Sequence, residues 1–421
     1  MTRLSRCELD RIKAEHPLDS FVEKHVRLGR ASAKGIRAGQ CICTPKKGRS
    51  PLWVNVTKGS WGCKYGGCGG DTFTFLEQFE GLDFAAVLAL LFGGEAVSDP
   101  ATAARLETER AQRVAEREAR AAALAEEERR KAYDMWRSAG PVDGTLVDAY
   151  FIHRGLAPVR SKALRFAADE PYWLAPDEED ARPEIMHRGP CLYAAIQGPD
   201  SRFMGLHRTW LDPRLGTADM PREASGKAQI AAPDGTPLVS KKMRAGKQGG
   251  AIRLHEFGPG PGEKIFLAGE GIETVETVFQ SASRDLLGAF GKNRNYCAWA
   301  AGDLGNLSGA GLGPSTPHPK GLRLRVPSDE PDPSAPGLMP PREAEAAILL
   351  GDSDSDPFVT RARLACAQKR WARGGWPTGI FMAEADMDFN DMIRAWSPEV
   401  EERSDPLRGA KQVGEPWGLH S

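Results

Sequence analysis

Two short apolar runs, each closing on carboxylates, constrain this chain more than any other feature. Lys264-Ile-Phe-Leu-Ala-Gly leads into Glu270 and Gly271, and Ala347-Ile-Leu-Leu-Gly leads into Asp352-Ser-Asp354-Ser-Asp356. Runs of this kind suit buried strands of a parallel sheet, whose C-terminal ends share one rim where ligands bind. Two such strands would bring Glu270 to the Asp352/Asp354 pair, which makes a Mg²⁺ site beside a general base. Alternation along an extended segment points Asp352 and Asp354 the same way and turns Ser353 and Ser355 to the other face. Asp356 falls on the carboxylate face too, where the chain turns towards Pro357. Crowded carboxylates repel unless a cation binds, so the alternative, a solvated acidic turn, requires full exposure, which the preceding apolar run argues against.

The rest of the chain organises around that expectation. From position 264 strands and helices alternate, with strand candidates at 264–268, 298–301, 347–350 and 379–382 and helix candidates at 271–283, 358–373 and 389–396. The Gly/Pro-rich stretch 308–341 reads as a mobile inserted loop and 399–421 as a loose tail. Upstream, 139–255 mixes short strand-like runs with polar turns, an α+β pattern. The Ala/Glu/Arg-rich stretch 99–138 lacks Gly and, after Pro100, Pro, and favours one long helix acting as a solvated spacer, with a coiled-coil surface as the alternative. Residues 1–98 form a compact unit in which Leu52-Trp-Val-Asn-Val alternates like a strand. The expected fold is therefore multidomain α+β and α/β, ending in a parallel sheet at 256–398.

Charge is polarised although the net charge is only −1. Residues 1–70 hold fourteen Lys/Arg against five Asp/Glu, so phosphate contacts are expected there first. No signal-like start or membrane-length apolar run occurs, which implies a cytoplasmic protein with no membrane partner. Of eight cysteines, Cys41, Cys43, Cys63 and Cys68 cluster. In a reducing compartment paired cysteines among glycines read as zinc ligands, Gly66, Gly67, Gly69 and Gly70 allowing tight turns around the tetrahedral ion.

The surroundings of these cysteines carry a family resemblance. Ile12-Lys13, Phe21-Val22, Val26-Arg27-Leu28, Gly39-Gln40-Cys41, Ser50-Pro51-Leu52-Trp53-Val54, Trp61-Gly62-Cys63 and Gly69-Gly70-Asp71-Thr72-Phe73 resemble the N-terminal zinc-binding domain of bacterial and phage DNA primases. That family pairs Cys-x-x-His with Cys-x-x-Cys, and this chain departs in both. Counting from Gly39 makes Cys41 the first ligand; counting back from Ser50-Pro51 makes it Cys43 and places Lys46 where the histidine belongs. The resemblance then implies a Zn²⁺ set of Cys41, Cys43, Cys63 and Cys68, or a homologue that has lost its metal.

Glu270 between two glycines, Asp352/Asp354 and Asp388-Phe389-Asn390-Asp391 together resemble the Toprim domain of bacterial-type primases, topoisomerases and some nucleases. The resemblance implies Glu270 as general acid/base and Asp352 and Asp354, with Asp356, as holders of catalytic Mg²⁺ or Mn²⁺. Where primases often carry Asp three residues after the glutamate, this chain has Glu273, as do relatives from phages and integrative elements. Asp388, Asn390 and Asp391 match an accessory motif of mobile-element primases, and equally a helix start with Asp388 capping and Phe389 packing. The stretches around Arg208 and around Lys241, Lys242, Arg244 and Lys247 resemble the nucleic-acid-facing subdomain that precedes Toprim, with solvated charge as the plain alternative. His153, His187 and His207 read as structural.

Taken together, the resemblance implies a primase that joins nucleoside triphosphates into RNA primers on single-stranded DNA, served by a separate replicative helicase. The alternatives are a Toprim-type metal-dependent nuclease and a non-catalytic single-stranded DNA-binding replication adaptor. Gly258-Pro-Gly-Pro-Gly-Glu-Lys misses the phosphate-loop spacing, and none of the six tyrosines lies in an obvious nucleophile-bearing module as a type I topoisomerase would need.

Overall fold

A computed structural model describes residues 15–32, 35–40, 42, 52–63, 69–83, 86–87, 90–91, 100–174, 183–283, 294–321, 324–395 and 411–413. The chain divides into two compact units, Met1–Glu128 with Trp173–Ile185, and Arg129–Tyr172 with Met186–Ser421. No helix among the described residues is long and apolar enough to cross a membrane.

In the first unit α1 (Leu18–Val22) precedes an antiparallel sheet of β1 (Ile36–Gly39), β2 (Leu52–Asn55), β3 (Ser60–Cys63) and β4 (Gly69–Asp71), arranged in chain order. Period-two alternation puts Leu52 and Val54 into the core and leaves Trp53 exposed. Helix α2 (Thr72–Phe79) starts where Asp71 accepts a hydrogen bond from the Thr74 amide at 3.1 Å. Leu18, Val22, Trp61, Phe75 and Leu76 complete one small core. Gly69, expected to serve a turn, lies in β4, where a Cβ would stand 2.8 Å from the Trp61 carbonyl oxygen; its role is close strand approach. Of the four expected zinc ligands only Cys63 is described, buried at the end of β3; Cys41, Cys43 and Cys68 lie outside the described residues.

The 39-residue helix α3 (Pro100–Ser138) follows the Ala/Glu/Arg composition, about 58 Å at 1.5 Å per residue. One face of its last turns is covered, Ala132 being fully buried and Tyr133 packing edge-on to Phe203 at 5.3 Å, while Lys131, Asp134, Arg137 and Ser138 remain exposed.

The second unit begins with α4 (Leu146–His153), capped by Thr145. Strands β5 (Leu164–Leu174), β6 (Glu184–Gln197) and β7 (Phe203–Trp210) follow, then a small hairpin of β8 (Ile230–Ala231) and β9 (Pro237–Leu238), and β10 (Lys241–Ala245) closes a sheet in the order β10-β7-β6-β5. A six-stranded sheet takes the remainder: β11 (Ile252–His255), β12 (Glu263–Gly269), β13 (Arg294–Ala300), β16 (Ala346–Gly351), β17 (Thr378–Met382) and β18 (Lys411–Val413), in the order β11-β13-β12-β16-β17-β18. Within it β13, β12, β16 and β17 run parallel, and β11 and β18 are antiparallel edges. Lys411–Val413, expected in a loose tail, is that last strand.

The continuous apolar runs are explained by burial on both faces. Ile265 and Leu267 of β12 and Ile348 and Leu350 of β16 point into one core, while Phe266 and Ala268 of β12 and Ala347 and Leu349 of β16 point into the other. Each buried Leu, Ile or Phe contributes roughly 1.5–3 kcal/mol, so these strands are fixed in register. Helix α5 (Ile272–Ser283) covers the first face, while α6 (Leu304–Ser308) and α7 (Pro357–Arg373) are packed on the second through Leu307, Leu364 and Trp371. The inserted stretch 308–341 is anchored rather than loose. It forms β14 (Thr316–Pro317) and β15 (Arg325–Val326), and Arg370 donates to the carbonyls of Ser308, Ala310, Asp332 and Ala335 at 2.9–3.2 Å. The short α8 (Phe389–Ala395) follows β17 and inserts Phe389 and Met392 under the first face.

Candidate active site

Strand β12 stops at Gly269, which places Glu270 on the C-terminal rim. Its backbone is fastened there by the Gly302 amide, 2.8 Å from the Glu270 carbonyl oxygen. Gly302 has φ +83°, a left-handed backbone that favours glycine at this turn. The neighbouring strand β16 ends at Gly351 and delivers Asp352. Ser353 is pinned away from the rim, its amide donating to the Met387 carbonyl and its hydroxyl to the Ala383 carbonyl, each at 2.9 Å. Thr274, in the first turn of α5, donates its hydroxyl to the Asp352 carboxylate, 2.9 Å and 3.1 Å from its two oxygens.

Glu270, Asp352, Asp354 and Asp388 all line one cleft of about 250 Å³. Burial pushes Asp352 up to about 7; the Thr274 hydroxyl works against this, and Asp388, Asp354 and Glu270 add to it by repulsion. Glu270 is also raised, by burial first, with Lys241 pulling it back and Asp354 pushing it further up. Asp388 is raised by burial, although the Asp391 amide donates to it at 2.5 Å and Arg154 stands 3.4 Å away. These carboxylates repel one another across the same space.

The same cleft is also lined by cations, Arg154, Lys227 and Lys241. Glu273, one helical turn from Glu270, is buried among Lys227 at 3.1 Å, Lys241 at 3.4 Å and the Tyr150 hydroxyl, which donates to it. Burial opposes its charge, yet the two ammonium groups hold Glu273 well below the usual carboxylate range. His207 of β7 borders the same cleft, pushed down to about 3 by burial and by Lys241, and therefore neutral.

Other candidates from the sequence sit elsewhere. The Asp356 carboxylate caps α7, accepting from the Phe358 and Val359 amides at 3.1 and 3.0 Å and lying 2.8 Å from His318 Nε2. It is not among the residues lining the cleft. Arg208 is paired with Glu170 at 2.7 Å and lies over the Trp210 ring, and Lys242 lies 3.7 Å from the centre of the Tyr172 ring. Arg244 approaches the Met135 sulfur at 3.2 Å, and Lys247 pairs with Asp303. Lys241 alone of the basic set lines the cleft. Asn390 is fully buried and donates to the Arg154 carbonyl at 2.7 Å, so it fastens the segment that carries Asp388. Asp391, partly buried, starts α8.

Sequence reasoning missed Arg154, Tyr150, Lys227 and Thr274. Thr274 carried a readable signal, since it follows Glu270 by four residues on a helix that starts at the rim. Asp303 follows a third parallel strand, as Glu270 and Asp352 follow theirs, and was readable by the same rule. Lys227 and Tyr150 had no local signal.

The donor set has the chemistry of a hard divalent cation site: oxygen ligands only, mutually repelling, and with Asp352 pushed up to about 7 by burial first. Among the described residues no three His, Cys, Asp or Glu side chains gather tightly enough to hold a metal by themselves. Mg²⁺ is commonly held by one or two carboxylates together with water and substrate phosphates.

Residues 126–254 match a family model described as Domain of unknown function (DUF7146). No curated protein matches the chain. Among solved structures, the chain is similar to the zinc-binding and RNA polymerase domains of the Aquifex aeolicus primase, at 13% identity and TM-score 0.32 over 96% of this chain and 86% of that one. It is also similar to a DNA primase domain from Pseudomonas aeruginosa, at 13% identity and TM-score 0.29 over 64% and 74% of the two chains.

Proposed function

We propose that the chain is a DNA primase whose Toprim-type site joins nucleoside triphosphates on a single-stranded DNA template. One observation carries the reading. Glu270 and Asp352, which emerge from adjacent parallel strands, meet Asp354 and Asp388 around one cleft that Lys227 and Lys241 also line. Carboxylates and ammonium groups gathered in this way suit a substrate that brings both phosphates and a hydroxyl to one place.

In this reading Asp352 and Asp354 hold Mg²⁺ or Mn²⁺ with Asp388 beside them. The bound cation supplies charge neutralisation on the triphosphate and a lowered pKa for the primer 3′ hydroxyl. Thr274 fixes the Asp352 carboxylate. Glu270, its pKa raised by burial, accepts the hydroxyl proton at its carboxylate as the 3′ oxygen attacks the α-phosphorus and pyrophosphate departs. Lys241 receives substrate phosphate. The four clustered cysteines, Cys63 with Cys41, Cys43 and Cys68, form a zinc module that meets the template, and a separate helicase unwinds it in phage or mobile-element replication. Asp356 is left out of the cation set because its carboxylate is committed to α7.

The decisive assay supplies single-stranded DNA, labelled ribonucleotides and Mg²⁺ or Mn²⁺ to wild type, Glu270→Gln and Asp352→Asn. Template-dependent oligomers that fall at least about a hundredfold in both variants are expected. Strand cleavage in place of synthesis would replace the reading with a nuclease, and binding without either product would leave an adaptor.

A further inference from the structure

Glu273 is buried about one turn beyond Glu270, and its carboxylate faces Lys227, Lys241 and the Tyr150 hydroxyl. Tyr150 comes from α4, Lys227 from the stretch between β7 and β8, and Lys241 from the start of β10, so three distant segments converge on one carboxylate. Both lysines line the cleft that Glu270 borders. Two ammonium groups share the Glu273 carboxylate, and Glu270 also acts on Lys241. Both lysine side chains are partly buried, and two close ammonium groups without a counter-ion would favour loss of a proton.

We infer that Glu273 and Tyr150 are positioning residues that clamp Lys227 and Lys241 as a paired, permanently charged wall for the phosphates of the incoming nucleotide. Glu273 supplies the charge that offsets the burial of both lysines, and Tyr150 fixes the carboxylate so that both can reach it. Burial lowers the pKa of Lys227, with Lys241 and Arg154 lowering it further and Glu273 opposing them. For Lys241 the same carboxylate outweighs burial and keeps its pKa above the ordinary lysine value. The other groups facing this pair are His207, which is neutral, Arg154, which is paired with Asp388, and Glu270, whose charge also acts on Lys241. His207 and Arg154 cannot replace Glu273 as a counter-ion, and Glu273 is the carboxylate within 3.4 Å of both lysines. The geometry also separates Glu273 from the other acids, since its carboxylate is taken up by the lysines. This inference rests on the primase reading for the identity of the ligand.

The test measures KM and kcat for nucleoside triphosphate between pH 7 and 9 in wild type, Glu273→Gln and Tyr150→Phe, with circular dichroism as the folding control. Wild type should hold KM flat. In Glu273→Gln a lysine loses its proton within the range, and KM should climb by up to about tenfold per pH unit while kcat at saturation stays within about threefold. Tyr150→Phe deletes only the donor and should move KM the same way by a smaller factor; it decides the matter if Glu273→Gln does not fold. A Glu273→Gln profile that overlays wild type overturns the clamp. So does a collapse of kcat at unchanged KM, which would make Glu273 a reacting group. If wild type makes no product on any template, the primase reading fails by itself. The clamp then stands or falls on binding of a fluorescent nucleoside triphosphate, whose affinity should drop in Glu273→Gln at pH 9 and not at pH 7.

Discussion

The two walls of the cleft solve the burial of charge in opposite ways. On the acid wall Asp352 and Glu270 are desolvated next to further carboxylates, and both pKa values rise. On the cationic wall Glu273 is buried more deeply, yet its pKa falls, because two lysines and a tyrosine meet it. Depth of burial therefore does not decide the protonation state here; the presence of a built-in partner does. The lysines have a carboxylate partner supplied by the protein itself. The acids that include Asp352 and Glu270 face further carboxylates instead, and in the proposed reading a cation arriving with the substrate would complete them.

The sharpest way to break this contrast is to remove the partner from the completed wall. Glu273→Leu keeps an apolar volume but removes the carboxylate that Lys227 and Lys241 share, and because both lysines are partly exposed it should destabilise the protein by about 2–4 kcal/mol in denaturant melts at pH 7. A loss below about 1 kcal/mol would mean that the lysines were solvated all along.

The matching change on the acid wall should go the other way. Folded, Asp352 keeps its proton up to about pH 7; unfolded, it loses it near the ordinary aspartate value of about 4. Its contribution therefore declines as pH rises through that window and is flat above it. Asp352→Asn removes the decline, so in chelator-treated buffer the variant should gain up to about 4 kcal/mol over wild type at pH 8 and nothing at pH 4. Added Mg²⁺ should raise the stability of wild type and not of the variant. Equal stability at pH 8 would show that the acid wall is not strained.

The parts of this arrangement that were legible in the sequence are those that one strand or one helix decides. Phe266 and Ala268 face one core and Ile265 and Leu267 the other, so the apolar run itself announced a two-sided strand, and the acid after it announced the rim. Glu270 and Asp352 follow from that rule alone. The cationic wall was only partly legible because its members are assembled by tertiary path: Tyr150 and Glu273 are 123 residues apart. Arg208 shows the converse error. It looked available for phosphate in a basic run, but Glu170, 38 residues away on another strand, already holds it. The stretch 308–341 was read from its Gly and Pro content as mobile, a reading that could not anticipate the anchoring side chain of Arg370.

Asp356 draws the boundary of the acid wall and offers the finest test of it. In an extended run it shares a face with Asp352 and Asp354, which is why the pattern alone groups the three. Pro357 ends the extension and starts α7, and at a helix start a carboxylate has a stronger local use: two orphan amides, from Phe358 and Val359, point at it. Those amides, first among its causes the Val359 bond, hold Asp356 below the usual aspartate value, opposite to Asp352 four residues earlier. Asp356→Ala should therefore lower the denaturation midpoint slightly as a lost cap and leave both kcat and the Mg²⁺ dependence of synthesis as in wild type. A rise in the Mg²⁺ concentration needed for half-maximal rate would extend the acid wall to Asp356 and make the cap its second use.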